Sequence, residues 1–292
     1  MITIIDTFPA FLDFWKTFSS KSIDDQIEGW RRAYMADWPE LYRKQVEDYE
    51  SDGEDWREIA RERIFPDLDQ RLGPMKTAYD NLQDVGPPTL SKSSQILDFY
   101  GDIVVVIYVG IGLGAGWATT FDGKPAILLG LENIAECGWI EKNALVGLIA
   151  HEFGHVVHFE RRDEAGIPRG EGSWWQLYIE GFAMRSEHLV SGFESWHMRE
   201  RAGDNNWLEW CKDNSAWLAA EFIRTVDAGE SARPFFGSWY DLKGYSQTGY
   251  YLGHELIRVM EVDLSLKEIA LLDQDDPRLM KGMAELTNRE LN

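Results

Sequence analysis

The strongest constraint on this chain is the run Val146-Gly147-Leu148-Ile149-Ala150-His151-Glu152-Phe153-Gly154-His155-Val156-Val157-His158. Positions 148 to 150, 153, 154, 156 and 157 are uncharged, so a helix here is buried, and any fold must house two imidazoles and a carboxylate in its interior. Buried polar groups require partners. At helical spacing His151 and His155 share one face, where both rings converge on one point, and Glu152 stands within reach of a water there. This is the HExxH pattern. A divalent cation satisfies all three groups at once; two core histidines closed by ordinary hydrogen bonds are the alternative.

A catalytic zinc site takes a third protein ligand and keeps a position open. A third histidine six residues after the second would fall at Arg161, and the glycine of that pattern would fall at His158, which excludes that class. Glu160 and Glu164 are rotated by about 140° and 180° from His155 on the same helix and point elsewhere. The third ligand therefore comes from a second helix. In Trp174-Trp175-Gln176-Leu177-Tyr178-Ile179-Glu180-Gly181-Phe182-Ala183-Met184 the lone acid is Glu180, a carboxylate that is costly to bury without a cation. Gly181 and Ala183 beside it are small enough for helices to close up. Pairing with Arg185 or a nearby base is the alternative use of Glu180. Glu187, seven residues on, could accept from a histidine ligand, although a solvated face accounts for it more simply. Further along, Gly249-Tyr250-Tyr251-Leu252-Gly253-His254 sets Tyr250 and His254 on one face at i, i+4. Tyr250, then His254, are the expected donors to a developing oxyanion, with Tyr245 in the preceding loop as a further choice.

Around this centre the pattern is α+β and predominantly helical. Helical periodicity runs from Phe8 to about Leu82, with Ser22 and Asp25 placed as N-cap and N3 acid, and Pro39 opening a further helix. Asp84-Val85-Gly86-Pro87-Pro88-Thr89-Leu90-Ser91 reads as a break, giving a helical N-terminal subdomain over 1–95 and a second domain over 96–292. Within the latter, 101–133 carries strand-length apolar pieces around the turn Asp122-Gly123, making a small sheet, and 140–190 the helices of the site. The remainder is helical, with Ser265-Leu266-Lys267-Glu268 a capping box. The stretch 103–121 is uncharged and nearly long enough to span a membrane, but its β-branched start and spaced glycines favour strand, loop, strand.

Lys plus Arg number 29 against 50 Asp plus Glu, a net charge of −21, and so acidic a surface repels phosphate backbones and anionic headgroups. Neither nucleic acid nor a membrane is expected as a partner. Two cysteines, Cys137 and Cys211, and an amino terminus without a basic segment point to a cytoplasmic location. The glycines between 110 and 116 lack the ending of a phosphate loop, and the tryptophans from Trp196 to Trp239 fit a core better than a stacking surface. His158, His188 and His197 are additional imidazoles near the site in sequence.

With HExxH on one helix and a glutamate on the next, the chain resembles the gluzincin metallopeptidases. More narrowly, "AHEFGHVVH", "YIEGFAMRSEH" and "GYYLGHELI" are similar to the bacterial predicted zinc-dependent proteases of the YjaZ-like type, over roughly residues 100 to 280. The resemblance implies a zincin-like domain, one zinc ion held by His151, His155 and Glu180, Glu152 as general base, and a peptide or protein substrate. It also implies an edge strand for that substrate, for which Ala126 to Leu131 is the candidate. The helical N-terminal third has no counterpart there, and substrate preference does not carry over. Two other readings remain: a narrow regulatory protease of the ImmA/IrrE-like type, and a non-catalytic binding or regulatory protein stabilised by its metal.

Overall fold

The computed structural model describes residues 1–192, 195–200, 206–237 and 240–288. Its architecture is α+β, mostly helical with one small mixed sheet. The unbroken apolar run Ile103–Tyr108 forms β2, buried along its whole length, as expected of a strand covered on both faces. It pairs in parallel with β1 (Ile2–Asp6) on one side and with β4 (Lys124–Gly130) on the other. β3 (Gly116–Phe121) folds back antiparallel on β4 through Asp122-Gly123, both at positive φ as a two-residue hairpin requires. The order is β1-β2-β4-β3. The segment expected to form the edge, 126 to 131, therefore lies inside the sheet for its strand portion, and Leu131 already starts a helix. The edges are β1 and β3, because β3 covers the outer side of β4 and residues 2–6 add a strand beyond β2. The uncharged stretch 103–121 is thus strand, loop and strand, and no helix among the described residues is long and apolar enough to cross a membrane.

The helices are α1 (Phe8–Phe18), α2 (Ile23–Gly29), α3 (Pro39–Ser51), α4 (Trp56–Ile59), α5 (Leu68–Ile96), α6 (Leu131–Cys137) and α7 (Lys142–Ala165). They continue as α8 (Gly172–Ser191), α9 (Trp207–Asp213), α10 (Ser215–Asp227), α11 (Arg233–Phe236), α12 (Thr248–Met260), α13 (Leu266–Ile269) and α14 (Pro277–Thr287). Local signals act as read: Ser22 caps α2 by accepting from the Asp25 N–H, and Ser265 with Glu268 closes a complete capping box on α13. The proline pair does not break the chain. α5 runs straight through Pro74, Pro87 and Pro88, its apolar face of Leu68, Met75, Ala78, Leu82 and Leu90 buried, and the Thr89 hydroxyl donates to the Val85 carbonyl in the turn the prolines weaken. Burial of that face outweighs the three lost donors.

The chain divides into two compact units, Met1–Ser91 with Tyr100–Ile149, and Lys92–Phe99 with Ala150–Asn292. The first 91 residues thus share a unit with the sheet, so the units differ from the 1–95 and 96–292 division read from the prolines. In the first unit the backbone after β2 is held by side chains. Tyr34 and Trp30 bond the N–H and carbonyl of Val109, Gln45 and Tyr49 those of Ile111, and Glu132 the N–H of Gly112. Two π turns, Trp30–Tyr34 and Ala60–Ile64, each end in a 3₁₀ turn and aim Tyr34 and Ile64 at this segment.

The second unit is helical. Arg162, almost wholly buried, donates to the carbonyls of Pro168, Ala270 and Leu272 and packs its guanidinium over Trp175. Trp196 and Trp207 are core residues there, while Trp210 and Trp217 are half-buried; Trp239 lies outside the described residues.

Candidate metal centre

Three close approaches of backbone build the site. At Gly154 on α7 an added Cβ would lie 2.7 Å from the Ser186 Cβ and 3.1 Å from the Ala183 Cα, so glycine there lets α8 lie against α7. At Gly181 on α8 it would lie 2.3 Å from the Gly253 carbonyl oxygen, and at Gly253 on α12 it would lie 2.5 Å from that of Leu177. Neither position has room for a side chain, and among the described residues α8 and α12 form the most extensive helix pair. The small residues flanking Glu180 and closing the Gly249-to-His254 segment therefore draw α7, α8 and α12 together at one level.

At that level His151 and His155 project from α7 and Glu180 from α8. The two Nε2 atoms are 3.1 Å apart, and Glu180 Oε2 lies 3.1 Å from His151 Nε2 and 3.3 Å from His155 Nε2. These three side chains form a group able to hold a metal ion. Two imidazole nitrogens facing each other at 3.1 Å leave one of them without a hydrogen to give, unless it is charged, and a cation placed among three such atoms satisfies all of them. Arg185, the alternative partner of Glu180, instead pairs with Glu261.

Burial and the contacts among these groups set their protonation. Burial pushes His151 down to about 4, against the bond to Glu180 and with the neighbouring His155 and His197 adding to the fall. For His155 burial acts in the same sense, but the carboxylates of Glu180 and Glu152 outweigh it and raise its pKa. For Glu180 burial acts upward, and the two histidines overcome it and hold the carboxyl well below its usual range. Glu152 is buried in the same turn, at 6% exposure.

Tyr250 is half-buried on the first turn of α12, its ring centroid 5.8 Å from that of His151, and it packs edge-on against Phe236. Just before it Gln247 holds a left-handed conformation at φ +58°, a strained position for a non-glycine residue at the start of that helix. His254, one turn on, stands beside His188 at 4.1 Å between ring centroids and against Trp196, with Nδ1 3.3 Å from Glu255. Tyr245 is stacked flat on Trp210. Tyr250 is thus the member of this set that the structure brings to His151.

Glu187 has no solvated face. It is fully buried and accepts from the Ser195 hydroxyl at 2.7 Å, the His197 N–H at 3.0 Å and the His197 imidazole at 2.6 Å. Its other neighbour is His151, whose Nδ1 lies 3.9 Å from Glu187 Oε2. Burial acts upward on Glu187, and His197, foremost, and His151 hold it lower. Its seven-residue spacing from Glu180 was the available signal, and its partners arrive from beyond the end of α8. His158, three residues past His155, is buried in a cage of Phe182, Tyr178 and Trp175, where burial holds it neutral. Among the described residues, Glu160 and Glu164 belong to no such group.

Scans against models of known families, curated proteins and solved structures return no match to this chain.

Proposed function

We propose that the protein is a zinc-dependent peptidase of the cytoplasm, related in its catalytic logic to the gluzincins and, by its three helix motifs, to the YjaZ-like proteases. The observation that supports this best is the convergence of His151 Nε2, His155 Nε2 and Glu180 Oε2 on one point, with Glu152 on the adjoining helical position. Two imidazoles and a carboxylate are the ligand set that suits zinc with a position left for water or substrate. When bound there, zinc supplies a Lewis acid that polarises a peptide carbonyl and acidifies a water. Glu152 accepts the proton from that water and returns it to the leaving amine nitrogen. The Tyr250 hydroxyl, on the ring beside His151, donates a hydrogen bond to the carbonyl oxygen as it gains charge. His254, turned to His188 and Trp196, is the weaker candidate for that donor.

The test is mass spectrometry of a defined peptide mixture incubated with zinc-loaded protein beside Glu152→Gln. Peptide cleavage that disappears in the variant establishes the peptidase, and the cut positions separate endo- from exopeptidase action. Zinc binding without cleavage, unchanged by Glu152→Gln, together with a lowered Tm for Glu180→Ala, identifies a metal-stabilised binding protein instead.

A further inference from the structure

The carboxylate of Glu187 is committed on one oxygen and shared on the other. Oε1 takes the Ser195 hydroxyl and the His197 backbone N–H, while Oε2 takes the His197 imidazole and faces His151 Nδ1 at 3.9 Å. His151 Nδ1 is buried and has no hydrogen-bond partner. The opposite nitrogen of that ring, Nε2, is the one directed at His155 and Glu180. A neutral imidazole carries a single hydrogen, so a lone pair on Nε2 toward an ion requires the hydrogen on Nδ1, where Glu187 Oε2 is the facing acceptor.

His151, Glu187 and His197 also lie close enough to be considered a second ion site. The geometry argues against it. Oε1 already accepts two hydrogen bonds, and 2.6 Å between His197 Nδ1 and Oε2 is the length of a charge-assisted hydrogen bond, shorter than the gap between two ligands each about 2 Å from one ion.

We propose that Glu187 is the positioning residue of the metal centre: the charge on its Oε2, facing His151 Nδ1 at 3.9 Å, favours the hydrogen on Nδ1 and so leaves the lone pair of Nε2 toward the ion, while Oε1 ties Ser195 and His197 to α8. The inference rests on the reading of His151, His155 and Glu180 as metal ligands. Such an acceptor acts through the ligand it orients, and its loss weakens metal binding without removing a ligand.

The experiment is zinc affinity of the full chain, by competition with a chromophoric chelator. Glu187→Gln keeps the shape and an acceptor for Ser195 and the His197 N–H, but turns an amide toward the imidazoles. Zinc binding weakens about 10- to 100-fold. His197→Ala leaves Oε2 to His151 alone and changes the affinity by no more than a few-fold. A second measurement needs no variant at this position: in ¹⁵N-histidine NMR of the ¹¹³Cd-loaded protein, assigned with His151→Ala, His151 couples to the metal through Nε2 and carries its hydrogen on Nδ1. This measurement decides alone if Glu187→Gln does not fold. Wild-type affinity in Glu187→Gln, an equal loss in His197→Ala, or coordination of His151 through Nδ1 each overturns the proposal while leaving the three-ligand site standing. Failure of the wild-type chain to bind zinc or cadmium, with His155→Ala no different, overturns the site and the proposal together.

Discussion

Glu132, far from the histidines in sequence, offers a quantitative test of the fold's electrostatics. It sits in α6 with no exposure to solvent, receives N–H donors from Gly110 and Gly112, and leaves Oε2 without a partner. Burial raises its pKa to about 7 from an ordinary 4.5, with the backbone donors and Arg71 opposing the rise. In the native state the carboxyl therefore holds a proton that the unfolded chain gives up above its lower pKa, so unfolding releases a proton and becomes easier as pH rises. The penalty is absent below about pH 4.5, grows between there and about pH 7, and levels off above. A gap of about 2.5 units corresponds to about 3 kcal/mol at the plateau. Glu132→Gln cannot ionise and still offers an acceptor to Gly112. In urea melts of both proteins from pH 5 to pH 8, stability of the variant relative to wild type should climb by about 2–3 kcal/mol, mostly before pH 7. A difference that stays flat across this range, or that falls, refutes the reasoning and means that the carboxylate is well solvated or well paired when charged.

Two further substitutions test the packing of the second unit. Gly253→Ala places a methyl 2.5 Å from the Leu177 carbonyl and 2.9 Å from the Gly181 backbone, atoms that cannot rotate aside, so the urea midpoint falls by the equivalent of about 1–3 kcal/mol or more. An unchanged midpoint would show that α8 and α12 are free to separate. Arg162→Met leaves the carbonyls of Pro168, Ala270 and Leu272 without their donor inside the fold, and at about 1–3 kcal/mol for each buried group the loss reaches at least about 3 kcal/mol by calorimetry or denaturant melts.

What the sequence discloses here depends on how far apart in the chain the cooperating groups lie. His151, Glu152 and His155 are legible because helical geometry alone brings them together over four residues. The caps at Ser22 and Ser265 are legible for the same reason. Pro87-Pro88 mislead because their cost is local and visible, whereas the burial of Leu82 and Leu90 that compensates for it depends on the rest of the unit. The sheet edge was misplaced for an equivalent cause: Ala126 to Leu131 looks like a final strand until residues 2–6 and 116–121 take their places beside β2 and β4. Gly181 was legible as a place where helices close up, but nothing in the sequence says that the backbone meeting it there is that of Gly253 on α12.

Glu180 and Glu132 show where this kind of reading reaches its physical boundary. Each is an acid in an apolar run, and the cost of burying a lone carboxylate applies equally to both. Around Glu180 the fold assembles two imidazoles, which lower its pKa and hold it as an anion. Around Glu132 it assembles three backbone N–H groups, those of Gly110, Gly112 and Glu132 itself, with Arg71, which do not overcome burial, and the acid keeps its proton up to about pH 7. The apolar neighbours in sequence state that a compensating group must exist; only the partner brought in from elsewhere in the chain decides whether the carboxyl is held as an anion beside two imidazoles or keeps its proton.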